Sequence, residues 1–132
     1  MKKILLVLAM LSVSVWADFK SISADELIKL QAKGIPVIDI RTPAEWSNTG
    51  IIKDAHKMMF FTPNGQADVA SWFFELGHLI QDKNQPFIIY CAHANRTKTL
   101  AKGLQQLGFS NFYELDGGIE NGWIKFHKPT IK

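Results

Sequence analysis

The chain of 132 residues holds one cysteine, and its neighbours are of the types that make a thiol reactive. Cys91 closes the apolar run Phe87, Ile88, Ile89 and Tyr90. Ala92, His93, Ala94 and Asn95 follow, then Arg96, and a helical pattern opens at Thr97 with Leu100, Leu104 and Leu107 at i, i+4 and i+7. The order predicts a buried strand of a parallel sheet, a tight loop and a helix. In α/β sheets, ligands bind beyond the carboxyl ends of strands. A loop that curls into a helix start aims backbone N–H groups and the positive end of the helix dipole at one spot. A thiolate at that spot is stabilised and becomes a nucleophile at neutral pH. Arg96 adds a fixed charge and a forked donor that could hold an oxyanion. A lone cysteine cannot form an internal disulfide. The plain alternative is a buried structural cysteine, but a strand-end position with an arginine five residues later favours function.

Several elements must hold this loop in place. Residues 19–22 read as a short edge strand. Ser23 and Glu26 form a capping-box pattern, with Leu27, Leu30 and Ile28 as the buried face of the helix they open. Gly34 is a natural stop, with Pro36 just beyond. Residues 37–40 read as the first central strand. Asp39 and Arg41 stand at its carboxyl end, where either could face the site; for Asp39 a hydrogen-bonded loop clamp is the favoured role. Thr42 caps a short helix with Pro43 at N1 and Glu45 at N3. Residues 51–58 contain another strand. Met58, Met59, Phe60 and Phe61 are strand core or a hydrophobic wall beside the cysteine, ahead of the turn from Thr62 to Gly65. Trp72, Phe73, Leu76, Leu79 and Ile80 have the helical spacing of a core-facing helix. After Gly108 comes a strand at 112–115. Gly117 and Gly118 then allow a tight backbone path into a final helix over 119–126. Strands alternating with helices predict an α/β fold: about five strands in a mostly parallel sheet with helices on both faces.

Residues 1–17 carry Lys2 and Lys3 ahead of an apolar run at 4–15, and small residues at Val15 and Ala17. This is the pattern of a bacterial export signal cut after Ala17. The apolar run is shorter than the roughly 18 residues that span a bilayer. The expected organisation is a signal peptide at 1–17 and one domain at 18–132, periplasmic or secreted. Without Lys2 and Lys3 the 15 basic side chains become 13 against 12 acidic ones, a net of +1. That balance gives no basis for nucleic-acid binding, and after signal removal none for a membrane. His56, His78 and His127 are scattered without ligand spacing, so no metal site is expected.

Four stretches, in order, resemble the rhodanese (sulfurtransferase) domain. Cys91 and Arg96, between strand and helix, look like its active-site loop. Val37, Ile38, Asp39, Ile40 and Arg41 look like its strand ending in Asp-x-Arg. Thr42 to Trp46, followed by Gly50 to Ala55, is similar to its second motif. Leu115, Asp116, Gly117, Gly118, Ile119 and Trp123 resemble its C-terminal signature. The resemblance covers about residues 19–126. It implies a rhodanese-like fold and transfer of sulfane sulfur from thiosulfate, a polysulfide or a persulfide, through a Cys91 persulfide, to a thiophilic acceptor. It implies Cys91 as the catalytic residue. Ala92, His93, Ala94, Asn95, Arg96 and Arg41 would bind substrate, with Asp39, Gly117 and Gly118 as structural support. No metal, cofactor or dedicated base is implied. The partners implied are a small anionic sulfur donor and a thiophilic acceptor, which a protein could supply. His93 is expected at the pocket rim, in a specificity role or none.

The sequence also departs from the family pattern. Glycine is usual at Ala94, and a basic residue is common at Ala92 in members that use thiosulfate. Histidine is common at Ile51 and glycine at Asp54. The first two departures bear on thiosulfate as donor and leave the nucleophile and its cradle in place. A sulfur-carrier or binding module without catalysis is the second reading. A cysteine phosphatase or arsenate reductase ranks lower, since its loop resembles Cys-x5-Arg and this one is Cys-x4-Arg. Without a resolving cysteine, a thiol redox enzyme ranks lower still.

Overall fold

A computed structural model of the protein describes residues 19–132. The export-signal reading of 1–17 lies outside the described residues. The elements are β1 (Lys20–Ile22), α1 (Ala24–Ala32), β2 (Val37–Asp39), α2 (Pro43–Thr49), β3 (His56–Lys57), α3 (Val69–Leu79), β4 (Phe87–Tyr90), α4 (Asn95–Gln106), β5 (Phe112–Leu115) and α5 (Gly118–Gly122). The strands form one sheet in the order β1-β5-β4-β2-β3, every pair parallel. The α/β fold expected from alternating strands and helices is the fold observed.

β4 sits at the centre because all four of its side chains can be buried. Successive side chains of a strand point to opposite faces. Phe87 and Ile89 accordingly join a core with Trp72 and Leu76 of α3 and Leu100 and Leu104 of α4. Ile88 and Tyr90 join a second core with Leu27 of α1 and with Ile119 and Trp123. Cys91 continues the first alternation and belongs to the α3/α4 side. Phe87 and Phe112 are register partners, and their rings stack at 5.4 Å; Phe19 stacks on Phe112 in turn at 5.7 Å. The Met58-to-Phe61 segment divides its roles. Met58 is core, its carbonyl accepts from the Trp72 indole N–H at 2.9 Å, and Phe60 packs edge-on against Trp72.

Two expectations shift. The helix expected at 119–126 is broken. α5 ends at Gly122, Trp123 leaves helical backbone at φ −131°, and a 3₁₀ turn covers Ile124–Phe126. At this break the indole of Trp123 is buried and donates to the Pro129 carbonyl at 2.8 Å. The helix after Cys91 also begins two residues before Thr97, at Asn95.

Candidate active site

Cys91 stands at the carboxyl end of the central strand, 1% exposed, with α4 beginning four residues later. Three features shape the loop between them. First, α5 braces it from outside: Ile119 N–H donates to the Cys91 carbonyl at 2.9 Å and Glu120 N–H to the Ala92 carbonyl at 3.1 Å. In a trans peptide the carbonyl and the next N–H point in opposite directions. Turning those carbonyls towards α5 therefore turns the N–H groups of Ala92 and His93 away from it. Second, Ala94 holds left-handed backbone at φ +66°, ψ +12°, and this bend starts the helix. Third, Ala94 supplies no side-chain cap, so the first-turn N–H groups of Asn95, Arg96 and Thr97 have no intrahelical acceptor and remain available. The loop is a ring of donors next to a thiol.

Gly118 makes the brace possible. Its φ is +67°, and a Cβ there would lie 2.4 Å from the Ala92 oxygen and 2.7 Å from the Cys91 oxygen. Gly117 is likewise left-handed at φ +75°. Both glycines stand where the chain turns from β5 into α5.

The charged groups around the loop are paired. The Arg96 guanidinium grips Glu45 with two bonds of 2.7 Å. Those bonds hold the Glu45 carboxyl down at about 2 and push Arg96 up. Glu45 is also the N3 residue of the capping box that Thr42 opens, so one carboxylate ties the start of α2 to the start of α4. His93 is 54% exposed at the rim and pairs with Glu120 of α5. Lys98 Nζ donates to Glu114 Oε1 at 2.7 Å and to the Ala94 carbonyl at 3.2 Å.

Arg41 requires a correction. It was expected among the substrate-binding residues, yet it is 1% exposed and its donors turn inwards. It bonds Asp39 at 2.8 Å, Thr49 Oγ1 at 2.7 Å and the Gly50 carbonyl at 2.8 Å. Asp39 also accepts from the Arg41 backbone N–H at 2.9 Å. Together they clamp the turn between β2 and α2, and the Arg41 guanidinium carbon lies 5.8 Å from the centre of the Tyr90 ring. Arg41 thus belongs with Asp39 in support, because a buried charge needs a buried partner.

Sequence reasoning missed Thr97 and Glu114. Thr97 Oγ1 lies 3.8 Å from Cys91 Sγ and donates to Glu114 Oε2 at 2.7 Å. Glu114, on β5, is fully buried. Its signal was present: a carboxylate inside a strand of a sheet covered on both faces must be satisfied from within. Beside the loop runs an open groove of about 670 Å³, walled by Phe61, Pro63, Glu45, Asn95, Arg96 and Thr99. Of the Met58-to-Phe61 segment, Phe61 is the residue that faces it.

The chain belongs to the rhodanese-like domain family, whose model matches residues 23–125. It is 32% identical over 108 residues to the thiosulfate sulfurtransferase GlpE of Pseudomonas entomophila, covering 79% of this chain and 84% of that one. Against the thiosulfate sulfurtransferase GlpE of Ectopseudomonas mendocina it is 32% identical over 116 residues, covering 88% and 95%. Among solved structures it is similar to a rhodanese-related protein of Thermoplasma volcanium. That match has a TM-score of 0.61 and 26% identity, over 86% of this chain and 98% of that chain.

Proposed function

We propose that the protein is a sulfurtransferase that carries sulfane sulfur on Cys91. The observation that carries this reading is the thiol at the end of β4 beside a braced ring of backbone donors. The Cys91 thiolate attacks the outer sulfur of a donor. The donor's sulfur–sulfur bond breaks and its electron pair leaves with the remainder, as sulfite from thiosulfate or as a thiolate from a persulfide. Cys91 then bears an anionic outer sulfur, which the N–H groups of residues 92–97 stabilise. A nucleophilic acceptor takes that sulfur and returns the Cys91 thiolate. No oxidant or metal enters this balance. Donor and acceptor arrive in turn, and the groove beside Arg96 borders the loop at Asn95 and Arg96. An export signal at 1–17 would place this cycle outside the cytoplasm.

Intact-protein mass spectrometry after incubation with thiosulfate or a polysulfide, then with cyanide, tests the reading. The expected result is a gain of one sulfur atom, lost to cyanide and absent from Cys91→Ser. Failure of reduced Cys91 to gain sulfur from either donor would replace catalysis with a binding role.

A further inference from the structure

Nucleophilic attack by Cys91 needs its proton removed, and the basic side chains near the loop already have partners: Arg96 with Glu45, His93 with Glu120, Lys98 with Glu114. One group with an unexplained position remains. Glu114 is a carboxylate at 0% exposure in the middle of β5, one hydroxyl away from the thiol. Its two oxygens are used differently. Oε1 accepts from Ser21 of β1 at 2.7 Å and from Lys98 of α4 at 2.7 Å. Oε2 accepts from Thr97 Oγ1 at 2.7 Å. Since the Thr97 proton points to Glu114, its lone pair faces the Cys91 thiol, which donates to it over 3.8 Å.

We propose that Glu114 takes up the Cys91 proton through the Thr97 hydroxyl. The thiol passes its proton to Thr97 Oγ1, and Thr97 passes its own to Glu114 Oε2. The S–H and Thr97 O–H bonds break and two O–H bonds form. The electron pair stays on sulfur, and no charge is created or lost. The two hydrogen bonds along the route survive with their direction reversed. Thr97 now donates to the thiolate, and protonated Glu114 donates to Thr97, while Ser21 and Lys98 keep their bonds to Oε1. The 3.8 Å step is the long one, as catalytic hydrogen bonds often are before substrate arrives. The groups facing the pair are Thr97, Lys98 and Arg96 on α4 and Ser21 on β1; Arg96 interacts with Cys91 electrostatically. Glu114 does not touch the sulfur and acts as a positioning residue for its proton. The proposal deepens the sulfur-transfer reading, but it concerns proton removal and can be tested without sulfur.

The test is the pH profile of Cys91 alkylation by iodoacetamide, followed by mass spectrometry. A thiol with no local proton acceptor reacts through its ionised fraction, so its rate climbs about tenfold per pH unit below its midpoint. With the relay the rate is nearly flat across the neutral range, because the proton leaves through Thr97 and Glu114 rather than to the solvent. Glu114→Gln keeps the shape and cannot take the proton. It should restore the climbing profile and lower the rate at pH 6.5 by about tenfold or more. Thr97→Val should do the same, and Thr97→Ser should return the flat profile. A Glu114→Gln variant with the wild-type profile, or one faster at neutral pH as removal of a nearby negative charge alone would make it, overturns the proposal. If Glu114→Gln does not fold, the Thr97 pair decides: equal profiles for Val and Ser overturn it. Since iodoacetamide reports the proton route, a protein that gains no sulfur yet shows the relay would refute the transfer reading alone.

Discussion

Gly118→Ala tests whether the α5 brace holds the active-site loop, and the structure sets its size. A methyl at Gly118 would sit 2.4 Å from the Ala92 oxygen, where ordinary contact begins at 3.4 Å. Both near neighbours are backbone, so α5 or the loop must move by about 1 Å. The cost has two parts. Left-handed backbone at φ +67° costs an alanine about 1–2 kcal/mol. Loosening the two bonds to the Cys91 and Ala92 carbonyls adds about 0.5–1.5 kcal/mol each, or roughly 1–3 in all. The expected loss is about 2–5 kcal/mol. For a chain of this size one kcal/mol is worth about 4 °C, so Tm should fall by about 8–20 °C. Gly34→Ala is the control: its φ is +90° with nothing within 4 Å of the added Cβ, so it bears the backbone part alone, about 4–8 °C. The pair also separates stability from chemistry. A displacement of about 1 Å at a reacting group costs up to about 100-fold in rate, so Cys91 should alkylate far more slowly in Gly118→Ala and normally in Gly34→Ala. Matching Tm values and unchanged Cys91 reactivity in both variants would refute the brace.

Arg41→Ala should cost about 3–5 kcal/mol in urea denaturation, because it leaves the buried Asp39 carboxylate without its guanidinium. A wild-type midpoint with a raised KM for thiosulfate would instead return Arg41 to substrate binding. In a ¹³C NMR titration the Glu45 carboxyl should titrate at about 2, moving back towards 4.5 in Arg96→Gln. The folded value is depressed, so this pair's stabilisation is fully present above the ordinary glutamate range and disappears as pH falls through about 2. An unshifted Glu45 would break the pairing. For Ala94→Gly, relief of about 1–2 kcal/mol of left-handed strain is offset by a freer unfolded chain, about 0.4–1, and by a lost buried methyl, about 0.8. Tm should stay within about 4 °C with Cys91 at least as reactive, and a tenfold slower thiol would show that the methyl shapes the cradle.

The local grammar of the chain was readable where short-range physics sets it. Phe87, Ile88, Ile89 and Tyr90 made a central strand, the leucines from Leu100 marked α4, and Thr42 with Glu45 built the expected cap. The departures from glycine at Ala94 and Asp54 were visible too. Their backbone was not: both keep left-handed φ, +66° and +64°, as though glycine still stood there. What escaped the sequence is long-range pairing. Glu45 and Arg96 are 51 residues apart, and Glu114 meets Ser21 across 93. The strand order does both: β1 beside β5 brings Ser21 to Glu114, and β2 beside β4 brings the helices that follow them, with Glu45 and Arg96, together. Arg41 was misassigned for a related reason. Its position at a strand end suggested an open site, whereas its partners Thr49 and Gly50 stand at the far end of the next helix and draw it inwards. At Trp123, where the last helix breaks, the buried indole donates to the carbonyl of Pro129 six residues on, a partner that helical periodicity does not reveal.

The brace on the loop comes from α5, the last helix of the chain. Domains are made from the amino terminus onwards, so Cys91 leaves the ribosome before Gly118, Ile119 and Glu120 exist. Until they arrive, nothing turns the carbonyls of Cys91 and Ala92 outwards, and the donors that would hold an anionic sulfur do not converge. The order of synthesis therefore makes the thiol before the segment that sets the backbone around it.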